Sequence, residues 1–195
     1  MSRLLEHADS LLLVIDAQSG FYGDHREGQP DDLRGPLDRI AWLAGVAGAL
    51  GIPAVVTEED AARNGPTAAR IVAALPAGTP VLAKVVFGAA DQPDVLAAIE
   101  ATGRRTAVLV GLETDVCVAQ SGLGLLDRGF RVAVVADATY APGPMHEAGL
   151  RRLAAAGAEI GHAKGVYYEW VRTLEAARAF ERDHPDLATP PGFSL

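Results

Sequence analysis

Short apolar runs recur along the chain, and stretches of helical composition separate them. The run at 11–16 is continuous, ends in an acid, and is typical of a strand buried on both faces of a parallel sheet. Strands that alternate with helices of this kind are joined by right-handed crossovers, so helices cover both faces of the sheet. The pattern predicts a doubly wound α/β fold, a three-layer α/β/α sandwich around a mostly parallel six-stranded sheet.

The same runs predict the individual elements. We expect strands at 11–16, 52–57, 81–87, 106–110 and 131–136, and a weaker sixth strand at 159–167. We expect helices at 33–50, 67–75, 94–102, 115–128, 145–156 and 174–183. The chain has 195 residues, of which 49% are apolar, and this is enough for one sizeable core. We therefore expect a single domain spanning residues 1–195.

The charge balance restricts the class of partner. The 25 acidic and 17 basic residues give a formal charge of -8, whereas binding phosphates requires a surplus of Lys and Arg on one face. We therefore expect no nucleic acid as a partner. The longest apolar run, at 11–15, is far shorter than the roughly 18 residues of a membrane span, and the N-terminal residues lack the pattern of a secretory signal. We expect no membrane insertion and a cytoplasmic location.

Three residues with reactive or charged side chains fall at or near the ends of predicted strands. Asp16 ends the first strand, Lys84 lies within the third, and Cys117 follows the fourth in the segment 111–118 (GLETDVCV). In an open parallel sheet, ligands bind outside the carboxyl ends of the strands, near the point where strand order reverses. We expect these three side chains to meet there.

The chemistry of such a site would centre on Cys117, the sole cysteine of the chain. An internal disulfide is impossible, so the residue is either an inert buried side chain or a working thiol. Thr114 or Asp115 is placed to cap the following helix, whose first-turn N–H groups would favour a thiolate. A nearby Lys84 would lower the thiol pKa further, and Asp16 would accept the proton and later return it to a leaving amine.

Each of these residues also has a structural alternative. A lone cysteine often fills a core, an aspartate after a strand often forms a turn, and a lysine between valines often lies on an edge strand. Two hypotheses therefore stand beside a cysteine hydrolase. One is a non-catalytic small-molecule binding or scaffold protein, and the other is a redox-sensing thiol with a resolving partner from outside the chain. Nucleotide binding finds no support, because no glycine-rich fingerprint follows the first strand.

Four segments of the sequence resemble the isochorismatase-like cysteine hydrolases. They are 13–18 (LVIDAQ) with Phe21 close behind, 83–84 (AK) followed by 87–89 (FGA), 111–118 (GLETDVCV) and 134–139 (VVADAT). The resemblance implies that Cys117 is the nucleophile and that Asp16 is the general base and then the acid. It implies that Lys84 is the cation that orients Asp16 and stabilises the thiolate.

The resemblance carries two further expectations. The family has a cis peptide bond that maps here to Leu112 followed by Glu113, and it would direct the N–H groups of Glu113 and Cys117 at an oxyanion. The resemblance also implies that this chain forms a homo-oligomer.

Two departures from the family pattern restrict which of the family's reactions we expect. Nicotinamidases of the family bind a metal after the second strand, where this chain has 57–60 (TEED), and the histidines at 7, 25, 146, 162 and 184 lack metal-site spacing. We expect no metal and no cofactor. Isochorismate hydrolases of the family lack a cysteine at the position of Cys117. Its presence favours cleavage of an amide, carbamoyl or ureido C–N bond of a small molecule through a thioester, as in the metal-free branch that 55–58 and 65–67 resemble.

The walls of the substrate pocket are expected at the same strand ends, where ligand pockets combine apolar side chains with a few polar groups. For each candidate, core packing or exposure to solvent is an equal alternative. The candidates are Phe21, Tyr22, Glu58, Phe87, Val118 and Tyr140.

Overall fold

A parallel sheet forms the centre of the protein, whose computed structural model describes residues 3–21 and 33–193. In these residues the sheet has six strands, all parallel to their neighbours, in the order β3-β2-β1-β4-β5-β6. The predicted doubly wound fold is confirmed. The strands are β1 (Ser10–Ile15), β2 (Ala54–Glu59), β3 (Val81–Lys84), β4 (Thr106–Leu112), β5 (Arg131–Tyr140) and β6 (Glu159–Gly161).

Helices cover both faces of the sheet. The helices in the described ranges are α1 (Arg34–Ala49), α2 (Ala61–Asn64), α3 (Ala69–Ala74), α4 (Pro93–Ala101), α5 (Ala119–Asp127), α6 (Met145–Ala155), α7 (Ala163–Val171) and α8 (Leu174–Asp183). One apolar core joins the sheet to α1, α3, α7 and α8, and a second core joins the opposite face to α4, α5 and α6. None of these helices is long and apolar enough to cross a membrane.

Strand β1 lies between the two cores, which explains why its residues from Leu11 to Ile15 are all apolar. Leu12 and Val14 belong to the core on the α1 side, whereas Leu11, Leu13 and Ile15 belong to the other. Successive side chains of a strand point to opposite faces, so a central strand without a solvent-facing side needs apolar residues at every position.

The strand order reverses between β1 and β4, which run side by side to a common carboxyl edge. Gly111 of β4 has a φ of 127°, and a Cβ there would lie only 1.9 Å from the carbonyl oxygen of Ile15. Only glycine allows this approach. The next peptide bond, between Leu112 and Glu113, is cis, as the family resemblance led us to expect.

Several predicted bounds differ from the structure: β2 begins and ends two residues later than predicted, and β5 continues four residues past its predicted end. The third strand ends at Lys84, so Val85 and Phe87 lie outside it, and the sixth covers only Glu159–Gly161. The rest of the predicted sixth strand is wrong, because Ala163–Val171 forms helix α7. The predicted helix at 115–128 begins instead with a π-helical turn, Thr114–Val118, and continues as α5.

Candidate active site

Asp16 is the first residue after β1 and is fully buried. Its φ of 47° lies in the left-handed region, which aspartate tolerates better than most residues. Its backbone N–H donates to the carbonyl oxygen of Thr57 at 3.0 Å, and the Thr57 hydroxyl donates to Asp16 Oδ1 at 2.7 Å. Strand β2 thus fixes both the backbone and the carboxylate of Asp16.

Lys84 ends β3 and brings its ammonium to the same carboxylate. Its Nζ lies 2.7 Å from Asp16 Oδ2 and donates to the carbonyl oxygen of Val86 at 2.9 Å. The side chains of both Lys84 and Asp16 are 0% exposed. The two charges attract strongly in this environment, but each has also lost the hydration that stabilises it in water.

Cys117 lies in the π-helical turn that follows the cis bond, and it is buried. The turn has no side-chain cap in the described part of the chain, so the expected capping by Thr114 or Asp115 is wrong. The Thr114 hydroxyl lies instead 2.8 Å from Nδ1 of His146, in α6. The Cys117 thiol donates to Oε2 of Glu59 at 3.2 Å.

Glu59 is the residue of this site that the sequence analysis missed. It ends β2, and its Oε2 also lies 3.9 Å from Lys84 Nζ. Its side chain is 21% exposed, so it forms the solvent-facing edge of the cluster. The alternation of a strand that continues to residue 59 places Glu59 on the same face as Thr57 and turns Glu58 to the other, but the predicted strand ends at residue 57.

The main chain of Glu59 is held on both sides. Gln18 Nε2 donates to the Glu59 carbonyl oxygen at 3.0 Å, and the Glu59 N–H donates to Gln18 Oε1 at 2.7 Å. Asn64 Nδ2 donates to the same carbonyl oxygen at 3.0 Å. The carboxylate therefore projects from a fixed backbone position.

The electrostatics of the resting site differ from the expectation of a favoured thiolate. Burial raises the pKa of the Cys117 thiol, the charge of Asp16 raises it further, and Lys84 only partly opposes these effects. Burial also raises the pKa of Asp16, against the lowering influence of Lys84 and Thr57. A thiol whose pKa is raised stays protonated at neutral pH, so it would need a base beside it to act as a nucleophile.

The same cluster contains atom types that bind metals. Among the described residues, Asp16, Glu59 and Cys117 offer ligand atoms that all lie within 4.8 Å of one another. Lys84 Nζ contacts both carboxylates, so its ammonium already supplies a positive charge between them. The arrangement fits proton transfer, and the expected absence of a metal stays a prediction.

The predicted pocket residues fall in different surroundings. Glu58 Oε1 accepts hydrogen bonds from the N–H and the hydroxyl of Thr67, and Val118 is fully buried in the core that contains Cys117. Phe21 is half-buried, and Phe87 is 50% exposed. Tyr22 lies outside the described residues.

Tyr140, the remaining candidate, packs against Leu33 and Leu112 at the carboxyl edge of the sheet. It also lines a cavity of about 420 Å³ together with Arg39, Asp137 and His146. Arg39 and Asp137 form an ion pair at 3.2 Å within this cavity. The charges of Arg39 and Asp137 balance each other, whereas the cluster around Cys117 contains two carboxylates and one ammonium.

Comparison with known proteins places the chain in a family. Residues 10–164 match the family model described as isochorismatase domain. The chain is 30% identical over 191 residues to the probable hydrolase YcaC of Escherichia coli K12, an alignment that covers 93% of this chain and 89% of the relative. The chain therefore belongs to the isochorismatase family, as its motifs indicate, and its hydrolase relatives support a hydrolase role.

Solved structures agree with this assignment. YcaC from Pseudomonas aeruginosa, solved with hexane-2,5-diol and covalent acrylamide, superposes with a TM-score of 0.80 at 27% identity, over 96% of this chain and 95% of that one. YcaC from Escherichia coli, described as an octameric hydrolase of unknown specificity, gives 0.80 at 27% identity, over 96% and 94%.

Proposed function

We propose that this chain is a cysteine-dependent hydrolase that cleaves a C–N bond of a small molecule, in an amide, carbamoyl or ureido group, through a thioester intermediate. The observation that carries the proposal is the buried cluster of Cys117, Asp16 and Lys84 at the point where strand order reverses. A small-molecule substrate, the absence of nucleic acid, membrane, metal and cofactor, and a cytoplasmic location belong to the same proposal.

Each residue has a role in the proposed reaction. Cys117 Sγ attacks the carbonyl carbon while its proton passes to Asp16, and Lys84 keeps Asp16 charged and in place. The N–H groups of Glu113 and Cys117 donate to the oxyanion. Asp16 returns the proton to the leaving amine as the C–N bond breaks, and water then cleaves the thioester and restores the thiol.

The second candidate is a non-catalytic small-molecule binding protein. The observation that favours it is the burial of Cys117, which raises the pKa of the thiol, because a thiol that stays protonated is a poor nucleophile. The candidates differ in whether any substrate is turned over and whether Cys117 becomes acylated.

Replacing the nucleophile tests the proposal directly. We expect the wild type to hydrolyse a member of a panel of small amides, ureas and carbamoyl compounds. In Cys117→Ala the rate should fall by at least about a thousandfold, since the covalent step is lost. Mass spectrometry of the acid-quenched wild type should find an acyl group on Cys117.

A matched control is Asp38→Asn, which changes an exposed carboxylate of α1 that pairs with Arg70. It should keep the wild-type rate. Full turnover by Cys117→Ala would overturn the proposal, and the absence of turnover and of any adduct in the wild type would favour the binding protein.

A further inference from the structure

We propose that Glu59 is a second general base and acid for Cys117, acting on the solvent side of the thiol while Asp16 acts on its buried side. Its role in turnover rests on the proposed hydrolase function. The effect of Glu59 on the reactivity of the free Cys117 thiol does not depend on that function, and alkylation measures it.

The direction of the thiol hydrogen bond is the first argument. Both oxygens of Asp16 already have partners, Oδ1 in Thr57 at 2.7 Å and Oδ2 in Lys84 at 2.7 Å. The Cys117 thiol interacts with both carboxylates, and it donates to Glu59 Oε2 at 3.2 Å. A proton that leaves the sulfur therefore has a preformed path to Glu59.

The exposure of the two carboxylates is the second argument. The Glu59 side chain is 21% exposed, whereas that of Asp16 is 0% exposed and is paired with Lys84. A general acid must come within hydrogen-bond distance of the leaving nitrogen, and the attacking water must reach the thioester from the open side. Glu59 is the carboxylate placed for both contacts.

The charges around the thiol make such a transfer feasible. Three charged groups act on Cys117, namely Asp16 from the end of β1, Glu59 from β2 and Lys84 from β3. Lys84 Nζ contacts both carboxylates, at 2.7 Å and 3.9 Å. Two carboxylates in one site commonly share a single proton, and here the thiol would supply it.

The steps balance without any further reactant than water. On this second route, which replaces transfer through Asp16, the thiol proton moves to Glu59 Oε2 as the S–C bond forms, and it then moves to the leaving nitrogen as the C–N bond breaks. In the second half, water loses a proton to Glu59 as its oxygen bonds the acyl carbon. The C–S bond breaks and Glu59 returns that proton to Sγ.

The test is the rate at which iodoacetamide alkylates Cys117 between pH 6 and pH 10.5, because alkylation needs no substrate and releases only iodide and the thiol proton. The variant is Glu59→Gln, which keeps the contacts with Gln18 and Asn64 since these use main-chain atoms of residue 59. The control is Asp60→Asn, which changes the adjacent exposed carboxylate at a φ of 38° that asparagine tolerates.

In the wild type we expect a rate that is independent of pH through the neutral range. The reactive pair, a thiolate beside a protonated Glu59, carries as many protons as the resting pair, so its population does not change with pH. In Glu59→Gln the rate at pH 7 should fall by about a hundredfold, the low end of what a positioned base contributes. Above pH 9 the variant should react faster than the wild type, because a negative charge beside the thiol is gone.

Glu59→Asp keeps a carboxylate and should regain part of the neutral rate, which a merely structural role would not explain. A Glu59→Gln variant that is faster at every pH would overturn the proposal, since Glu59 would then act only through its charge. A neutral rate that Asp16→Asn abolishes and Glu59→Gln preserves would also overturn it. If Cys117→Ala loses hydrolysis but Glu59→Gln keeps the wild-type alkylation rate, the proposed hydrolase function stands and the proposed role of Glu59 is wrong.

Discussion

The buried ion pair of Asp16 and Lys84 is expected to support the proposed proton transfer and to lower the stability of the folded chain. Both side chains are 0% exposed, and the desolvation of two charges often exceeds their mutual attraction. Removing one partner is more damaging than removing both, because it leaves an uncompensated charge in the core. The folded chain is therefore expected to be less stable with this pair than with apolar residues in its place, while the pair holds Asp16 in position for proton transfer.

Variants of this ion pair should differ from variants of an exposed pair in urea unfolding. Lys84→Met alone should lower the free energy of unfolding by about 3–5 kcal/mol. Combining it with Asp16→Asn, which tolerates the φ of 47°, should recover most of that loss. Arg70→Ala, which breaks the exposed pair with Asp38, should cost under about 1 kcal/mol. A double variant whose loss equals the sum of both single losses would contradict this reading.

The pH dependence of stability should change in the same series. The pKa of Asp16 is raised above its ordinary value of 3.8 in the folded state. Just above that pH the folded chain holds a proton that the unfolded chain has released. The contribution of Asp16 to the free energy of unfolding therefore falls as pH rises through this range. Asp16→Asn should remove that part of the pH profile.

Three of the cluster residues could be predicted from the sequence, and one could not. The polar side chains Asp16, Lys84 and Cys117 stand out because they interrupt or follow apolar runs at the end of the sheet where ligands bind. Glu59 follows an acidic neighbour, and only the observed end of β2 decides which of the two faces the thiol. Whether the thiol is protonated depends on its burial, which spacing alone does not give.

At the scale of elements, α7 shows how composition can mislead. The segment contains Val166, Tyr167 and Tyr168, which are typical of strands. Its buried residues Ala163, Val166, Tyr167 and Trp170 nevertheless follow the spacing i, i+3, i+4 and i+7 of a helix face. The helical period was present in the sequence and describes this element better than residue preference does.

Helix α6 positions the turn that carries Cys117. A Cβ on Gly149 would lie 2.7 Å from the carbonyl oxygen of Thr114 and 2.8 Å from the backbone nitrogen of Asp115. Gly149→Ala should therefore displace this turn, lowering both the unfolding midpoint and the alkylation rate of Cys117. The loss of stability should be about 1–3 kcal/mol, as for other overpacked sites.

Gly165 in α7 provides the matched control. A Cβ there meets nothing within 4 Å, so Gly165→Ala should stabilise the protein by up to about 1 kcal/mol through helix propensity and leave alkylation unchanged. Equal effects of the two substitutions would show that α6 does not position the turn.

At the scale of the whole molecule, the alternation of strands and helices was enough to predict the architecture. Right-handed crossovers leave few arrangements for such a chain, and the switch point between β1 and β4 brings the predicted residues together. The strand order itself came only from the structure, because crossover rules do not say where the chain reverses. A single domain spanning residues 1–195 stays a prediction.

The surface beside the site predicts self-association. Val81, Val85 and Phe87 continue the exposed side of edge strand β3 and are 43%, 87% and 50% exposed. Exposed apolar surface of this kind commonly marks an interface. We therefore expect a homo-oligomer that buries this surface, as the resemblance to the family implies.

Light scattering coupled to size-exclusion chromatography tests this expectation. Val85→Glu should shift the protein to a smaller assembly, because an interface would have to bury an unpaired charge. Leu174→Glu changes an apolar side chain of α8 that is 74% exposed but distant from β3 along the fold, and it should leave the assembly intact. If the wild type is a monomer, or if Val85→Glu leaves the assembly unchanged, this surface is not an interface between copies of the chain. If assembly is lost and Cys117 alkylation changes with it, the interface also shapes the entrance to the site, since Val85 directly follows Lys84.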